Sequence, residues 1–306
     1  MIFYSREEVI AMTPLWKGER FEDGRPKVAD RYLDALYSMT LEELWKPIFV
    51  QGYENNFVSI KSLHPEFKED GTLNRKLVGR AVTAMYVPAR PDYVDAQFAM
   101  AKAKGLTGTP NQWVVDHLQP RDVMVIDMYD KIYKGTFLGG NLTTALHNKT
   151  GNGGAVIWGG IRDIEQMHKV PDVQVYYRGI DPTPIRDFIM TAYNTPTRIG
   201  NAICLPGDVV FGAGGGVLFI PAHLVAEVVG GAAKTQVKDL FGFEMISLNK
   251  FTTAQIDKNT WTTEMRDLLM EFIATDDRAA EYRDLDWTEE YDLAINGDPN
   301  DTQSAL

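Results

Sequence analysis

The spacing of hydrophobic and polar positions changes along this chain and predicts three segments. Residues 1–48 are expected to be helical, because residues 31–45 place leucines and a tyrosine at intervals of three and four. In residues 49–250, short apolar runs alternate with helical patterns, which is typical of an α/β domain. Residues 251–306 are expected to form an acidic helical extension with a disordered end from Asn296.

Apolar runs and the residues that interrupt them predict individual elements. Strands are predicted at residues 77–86, 122–128, 155–158, 173–177 and 208–220. Helices are predicted at residues 93–104, 141–149, 164–169, 222–241 and 263–273. The segment 186–199 stays unassigned, because Pro196 argues against a long helix there.

Charge is distributed unevenly, and this narrows the choice of partners. The net charge is -11, and residues 257–306 contain 14 acidic but only 4 basic residues. Nucleic-acid binding needs clustered Lys and Arg, so no nucleic-acid partner is expected. No run approaches the ~20 apolar residues of a membrane helix. The N-terminus lacks a signal-peptide pattern and Cys204 is the only cysteine, so we expect a cytoplasmic protein without a disulfide.

The stretch from Gly139 to Asp163 contains the main candidate chemistry. Gly139 and Gly140 open a predicted helix whose bare N–H groups favour an anion, and Arg162 and Asp163 follow a buried strand. An arginine fork matches a carboxylate, and an aspartate can hold a hard divalent cation. Asp127 ends the preceding strand, and ligands of open α/β sheets bind at such strand ends. The alternative is that Asp163 only caps a helix while Arg162 forms a surface salt bridge.

Other motifs give weaker signals. Residues 212–216, GAGGG, could form either a nest of N–H groups for an anion or a tight β-turn. No phosphate loop and no dinucleotide-binding pattern is present. The five histidines show no metal-binding spacing, so a histidine-rich metal site is not expected. His147 lies in the glycine-started helix and is a candidate for substrate binding, with a surface position as the alternative.

Six segments in this order resemble the RraA-like family, which includes 4-hydroxy-4-methyl-2-oxoglutarate and 4-carboxy-4-hydroxy-2-oxoadipate aldolases. They are LVGRAVTAMY (77–86), DVMVID (122–127), GGNLTTAL (139–146), GGAVIWGGIRD (153–163), VQVYYRG (173–179) and PGDVVFGAGGGVLFIP (206–221). The resemblance implies a swivelling β/β/α layered domain that assembles as a homotrimer or hexamer. It also implies a lyase that depends on Mg²⁺ or Mn²⁺ and acts on a 2-oxo acid, releasing pyruvate or decarboxylating oxaloacetate.

The resemblance further implies roles for individual residues. Arg162 would bind the substrate near its carboxylate, Asp163 would hold the metal, and Asp127 would orient a metal-bound water. Glu244 would match an acidic residue that a neighbouring subunit supplies. The pyruvyl carboxylate would be bound by the residues that open the helix, namely Gly139, Gly140, Asn141 and Leu142.

The chain departs from the family pattern at the turn before its last strand. The family carries acidic residues there, whereas this chain has Ala213, Gly214 and Gly215. Two alternatives therefore stay open beside the aldolase. One is a metal-dependent lyase or hydratase that acts on another sugar-derived acid, and the other is a non-catalytic regulator that binds a ribonuclease. Asp163 favours an enzyme, because the regulators tend to lack this aspartate.

Overall fold

A computed structural model describes residues 2–3, 5–65, 67–71, 74–151, 153–258 and 260–297 of the chain. Contacts divide the chain into two compact units, Met1–Ala226 and Glu227–Leu306, and each is described by itself. The segment boundaries near residues 48 and 250 stay predictions. Of the end predicted to be disordered, residues 298–306 lie outside the described residues.

The elements below are those of the described residues. The strands are β1 (Ile2–Phe3), β2 (Phe57–Ser59), β3 (Lys61–Ser62), β4 (Leu77–Pro88), β5 (Asp122–Leu138), β6 (Gly154–Ile161), β7 (Gln174–Ile180), β8 (Phe188–Tyr193), β9 (Thr197–Ile199), β10 (Ala202–Cys204), β11 (Val209–Ala213) and β12 (Gly216–Ile220). The helices are α1 (Arg6–Met12), α2 (Asp30–Ala35), α3 (Leu41–Phe49), α4 (Pro91–Ala103), α5 (Pro110–Asp116), α6 (Gly140–Thr150), α7 (Ile164–Met167), α8 (Val225–Ser247), α9 (Thr253–Ile256), α10 (Thr263–Thr275) and α11 (Thr288–Asn296).

A mixed sheet forms the centre of the first unit. Its main strand order is β2-β12-β11-β4-β5-β6-β7-β3, while β8 pairs with β4 and β1 pairs with β8. Strands β4, β5, β6 and β7 run parallel to one another. Their carboxyl ends therefore lie along one edge of the sheet, which is the edge where α/β proteins place their ligands.

Apolar side chains cover both faces of this sheet. On one face, Trp113 of α5, Leu146 of α6 and Met167 of α7 pack with strand residues. On the other face, Ile199 of β9 and Ala202 of β10 pack with the sheet, and these two strands pair as an antiparallel hairpin. The hairpin, the sheet and the helices form three layers, so the predicted α/β fold with β/β/α layers is confirmed.

Differences from the predicted elements have local causes. Within the helical pattern of residues 31–45, Thr40 followed by Glu42 and Glu43 predicts a helix start, and this start is confirmed. Thr40 is extended and begins α3 with a capping box, in which its amide donates to Glu43 at 2.9 Å. The strand predicted at residues 208–220 is the hairpin of β11 and β12, whose turn contains Gly214 at φ +57°. The glycine run is thus a tight turn, and the unassigned segment 186–199 contains β8 and β9.

The second unit is helical among its described residues. Phe241, Trp261, Leu269 and Phe272 lie in its apolar core. The helix predicted at residues 263–273 is confirmed as α10. Across both units, no helix in the described ranges has the length and apolar character that crossing a membrane requires.

Candidate functional site

Arg162 and Asp163 lie beside the glycine turn at the carboxyl edge of the sheet. The amide of Arg162 donates to the carbonyl of Leu138 at 3.0 Å, so the ends of β5 and β6 are paired at the site. The amide of Gly140 donates to Oδ2 of Asp163 at 3.2 Å. The structure therefore brings the Arg-Asp pair to the glycine turn, as the sequence predicts.

The two glycines of the turn are explained by close approach of neighbouring side chains. A Cβ atom at Gly139 would lie 2.5 Å from Oδ2 of Asp163. A Cβ atom at Gly140 would lie 2.4 Å from Oε1 of Gln166. Sequence reasoning missed Gln166, although its place three residues after Asp163, in the single turn of α7, could have suggested that it reaches this site.

Asp163 bends the chain between β6 and α7. Its φ of 58° and ψ of 39° lie in the left-handed region, which Asp and Asn adopt more readily than most residues. Asp163 occupies the N-cap position of α7, as the alternative interpretation expects, but its side chain makes no capping hydrogen bond. Its Oδ2 instead faces the amide of Gly140 and lies 3.6 Å from Nε of Arg162. The bend thus directs the carboxylate toward the start of α6.

Thr136 positions the guanidinium of Arg162. Nη1 of Arg162 donates to the backbone carbonyl and to the hydroxyl of Thr136, both at 3.2 Å. Thr136 belongs to residues 128–137, where the pairing of β5 with β6 becomes irregular, so a strand predicted to end at Met128 could not reveal it. Among the described residues, Nη2 of Arg162 and Oδ1 of Asp163 have no hydrogen-bond partner.

The first turn of α6 adds open donors to the site. The amide of Thr143 bonds back to the carbonyl of Gly139 at 2.9 Å. Within the described part of the chain, the amides of Asn141 and Leu142 have no acceptor, which is usual for the first turn of a helix. These amides and the positive end of the helix dipole favour an anion at this position.

Asp127 lies elsewhere on the sheet. It pairs in register with Trp158, four positions before Arg162, which corresponds to roughly 13 Å along a strand. Its Oδ1 accepts from the amide of Tyr129 at 2.8 Å, and its Oδ2 lies 3.6 Å from Nε of Arg198. Asp127 is 4% exposed, and burial raises its pKa against the opposing effects of Tyr129 and Arg198. The structure does not bring this carboxylate to Arg162.

His147 lies away from the glycine turn, and Glu244 lies outside the first unit. His147 lies in the last turn of α6, about 10 Å along the helix axis from Gly140. Its Nδ1 is buried and lacks a partner among the described residues. Glu244 lies on α8 in the second unit, where its carboxylate pairs with Arg278. The predicted roles of both residues stay predictions.

The glycine run of the sequence lines a separate cavity of about 430 Å³. Residues 213–216, Arg75 and Lys76 border this cavity at the amino end of β4, the edge opposite Arg162. Arg75 pairs with Asp172 at 2.8 Å, and Nζ of Lys76 donates to the carbonyl of Tyr37 at 2.9 Å. Both cations are thus engaged within the protein, which agrees with a structural role for the turn.

No group of three or more His, Cys, Asp or Glu side chains is placed to share a metal ion in the described ranges. A cation at the Arg162 site would therefore depend on Asp163 together with water and substrate oxygens. Mg²⁺ usually keeps several waters and is held by one or two carboxylates. The open Oδ1 of Asp163, on a side chain that is 38% exposed, fits such a site.

The model of the RraA-like family, described as Aldolase/RraA, matches residues 51–219, which is more than half of the chain. The chain therefore belongs to the RraA-like family, and the resemblance found in the sequence is confirmed. This family includes metal-dependent aldolases and also RNase E inhibitors. Its members often use Mg²⁺ and commonly form oligomers.

Individual relatives show how far this likeness extends. Protein DlpA of Legionella pneumophila is 28% identical over 199 residues, which are 64% of this chain and 28% of DlpA. The chain thus spans less than a third of that relative. RraAS2 of Streptomyces coelicolor, an unusual member of the RNase ES inhibitor RraA protein family, has a TM-score of 0.57 at 21% identity, covering 71% of this chain and 97% of its own. An uncharacterized protein from Pseudomonas syringae pv. tomato also has a TM-score of 0.57 at 21% identity, and the match covers 76% of this chain and 100% of that protein's chain. Both solved structures share the fold.

Proposed function

We propose that this protein is a lyase that uses a divalent metal to cleave or decarboxylate a 2-oxo acid and releases pyruvate. The observation that carries the proposal is the convergence of open donors and an open carboxylate oxygen at one sheet edge. Nη2 of Arg162, the amides of Asn141 and Leu142, and Oδ1 of Asp163 all lack partners in the described part of the chain. Such a set suits a small ligand with a carboxylate and a coordinating oxygen.

The anion-binding half of the site would hold the carboxylate of the substrate. The amides of Asn141 and Leu142 present two donors at the positive end of α6, and Arg162 adds a charged donor. Thr136 keeps the guanidinium in place by two hydrogen bonds at 3.2 Å. A pre-positioned guanidinium loses little side-chain freedom when the substrate binds.

Asp163 would hold the cation through Oδ1, because Oδ2 is already engaged by Gly140 and lies near Arg162. Mg²⁺ or Mn²⁺ suits this oxygen ligand. When bound, the cation would stabilise the negative charge that develops on the keto oxygen as the carbon–carbon bond breaks. The chain's own contribution is to fix the Asp163 carboxylate by the left-handed bend and the Gly140 amide.

A general base must accept the proton of the substrate hydroxyl in a retro-aldol cleavage. We propose Glu244 as this general base, supplied by a neighbouring subunit of a homotrimer or hexamer. Its carboxylate pairs with Arg278 within the second unit, so it would have to leave that partner to act as a base. Decarboxylation of oxaloacetate needs no such base and could proceed without Glu244.

One observation favours the second candidate, a regulator that binds a ribonuclease. Oδ2 of Asp163 already accepts a hydrogen bond from the Gly140 amide and faces Arg162, so this oxygen has protein partners without a ligand. RraAS2, which shares the fold, belongs to a family of RNase ES inhibitors. The same activity assay separates the two candidates, because a regulator would turn over no oxo acid.

The test measures pyruvate release from oxaloacetate and from 4-hydroxy-4-methyl-2-oxoglutarate, with Mg²⁺ and after its removal by a chelator. Asp163→Asn should lower kcat/KM by at least about 100-fold, since it removes the charged metal ligand. Asparagine is chosen because it tolerates the left-handed backbone, which alanine does not.

Asp172→Asn is the matched control. Asp172 also has a left-handed φ, of 57°, and also faces an arginine, but it precedes β7 at the opposite edge of the sheet. We expect this variant to keep wild-type kinetics. If the wild-type protein turns over neither acid and binds no Mg²⁺, the proposal is rejected.

A further inference from the structure

Two histidines that are 104 positions apart in the sequence meet in the first unit. The ring centroids of His64 and His168 lie 4.8 Å apart, with the ring planes inclined by 75°. Among the residues that the structure describes, neither imidazole makes a hydrogen bond. Each neutral ring therefore keeps a nitrogen lone pair that is available to a metal ion.

The backbone on both sides of this pair is held firmly. The amide of His64 donates to Oε1 of Gln174 at 3.1 Å, and its carbonyl accepts from Nε2 of Gln174 at 3.2 Å. Gln174 itself is only 4% exposed. The amide of His168 donates to the carbonyl of Ile164 at 3.0 Å, at the end of α7. Because the backbone is held at both positions, mainly the side-chain freedom of the two rings is lost when they bind one ligand.

We propose that His64 and His168 form a two-histidine site for a divalent transition metal such as Zn²⁺, Ni²⁺ or Cu²⁺. Imidazole nitrogen suits these ions, whereas Mg²⁺ prefers oxygen ligands. Two imidazoles bound to one ion at ~2.1 Å, at an angle of about 90–110°, have their centroids roughly 4.5–5.2 Å apart. The observed 4.8 Å falls within this range. Water completes the coordination sphere.

The two-histidine site is distinct from the Asp163 site, since Asp163 and His168 lie at opposite ends of α7. At a rise of 1.5 Å per residue, the Cα atoms of Asp163 and His168 are about 7.5 Å apart along the helix axis. A metal that joins the loop after β3 to the end of α7 would restrain this single-turn helix.

The test titrates the full-length protein with Zn²⁺ by calorimetry. His64→Ala and His168→Ala should each weaken binding by at least about tenfold, because loss of a second-shell partner alone costs ~10–100-fold. His117→Ala is the matched control, since this exposed histidine bonds to the carbonyl of Trp113 at 2.7 Å. The titration is done without substrate, so failure of the proposed lyase activity would leave this result unaffected.

Electron paramagnetic resonance with Cu²⁺ supplies a readout that a merely structural role would not change. The wild-type protein should show coupling to two imidazole nitrogens, and each histidine variant should show coupling to one. The proposal is overturned if the wild-type protein binds no equivalent of Zn²⁺, or if both histidine variants bind it as tightly as the wild type does. The ring contact would then be edge-to-face packing alone.

Discussion

Two aspartates lie on neighbouring parallel strands, Asp127 inside β5 where its regular pairing with β6 ends and Asp163 directly beyond β6, and the structure gives them opposite environments. Asp163 has a side chain that is 38% exposed, with one oxygen on a backbone amide and the other open. Asp127 is 4% exposed and is held by Tyr129 and Arg198. A strand end alone does not make a carboxylate reactive, since burial and existing partners decide whether it can meet a ligand.

The difference arises from the path of the chain immediately after each aspartate. After Asp163 the chain turns at once into α7, which leaves the carboxylate at the carboxyl edge of the sheet. After Asp127 the chain continues through residues 128–137, with irregular pairing, before Leu138 pairs with Ile161 of β6. On this longer path, the amide of Tyr129 donates to Asp127, and the carbonyl of Thr136 accepts from Arg162. The predicted residue Asp127 is therefore not part of the candidate site, whereas Thr136, which was not predicted, is part of it.

For the proposed lyase, the largest expected effect is a difference in kcat/KM between variants of the two aspartates. Asp163→Asn should lower kcat/KM for oxaloacetate by at least about 100-fold through loss of the metal ligand. Asp127→Asn should lower it by less than about tenfold, since Asp127 pairs in register with Trp158, which precedes Arg162 by four positions or roughly 13 Å of strand. Steady-state kinetics with saturating Mg²⁺ measure both. Equal losses would place both carboxylates in one site and contradict the distinction.

A second effect concerns the space beside Asp163. Gly139→Ala would put a Cβ atom 2.5 Å from Oδ2 of Asp163, so the carboxylate must move. We expect kcat/KM to fall by about tenfold but the free energy of unfolding to change by less than about 1 kcal/mol, because the atom that must move is the end of a flexible, partly exposed side chain. Gly215→Ala is the control, because its Cβ meets nothing within 4 Å. Wild-type activity in Gly139→Ala would show that the carboxylate position is unimportant.

A third effect concerns the pH dependence of stability. Because burial raises the pKa of Asp127 in the folded protein, the proton stabilises the fold, and this stabilisation is complete below the ordinary pKa of ~4. It is lost as the pH rises through the raised pKa. Asp127→Asn lacks this loss, so its stability relative to the wild type should increase as the pH rises above about 4. Urea unfolding at several pH values measures the difference.

Asp208 does not disturb that comparison, although burial raises its pKa to about 7. It is present in both proteins and contributes equally to each curve. A relative stability of Asp127→Asn that does not change with pH would mean that Asp127 is not held in a desolvated environment.

The smallest expected effect concerns the ion pair at Asp127. Arg198 is 54% exposed and its Nε lies 3.6 Å from the carboxylate. Exposed ion pairs contribute roughly 0–1 kcal/mol, so Arg198→Gln should lower the free energy of unfolding by less than about 1 kcal/mol. Urea unfolding at pH 7 checks this. A loss of several kcal/mol would mean that Arg198 is essential to keep Asp127 charged.

The parts of the site that follow strands directly could be predicted from the sequence. Gly139, Gly140, Arg162 and Asp163 needed only the order of elements and the rule that parallel strands end at one edge. The path through residues 128–137 could not be predicted in the same way. Tyr129, Asp130 and Lys134 have φ values of 56° without being glycines, and residue type does not reveal such bends.

Some missed elements left a signal and others left none. Helix α5 begins with a capping box, in which the amide of Thr109 donates to Oε1 of Gln112 at 2.7 Å, and with Pro110 in its first turn. That pattern is readable in the sequence. Strands β2 and β3, of three and two residues, are too short for an alternating pattern. The meeting of His64 and His168 depends on tertiary structure and cannot be read from spacing.

The left-handed bend at Asp163 also determines how this protein could evolve. Asparagine and glycine both accept a φ near 58°, so either residue could replace Asp163 while the turn from β6 into α7 is kept. Each replacement would remove a negatively charged ligand without creating a folding defect. A descendant of this chain could thus lose the proposed lyase activity in one inherited change and still keep its fold.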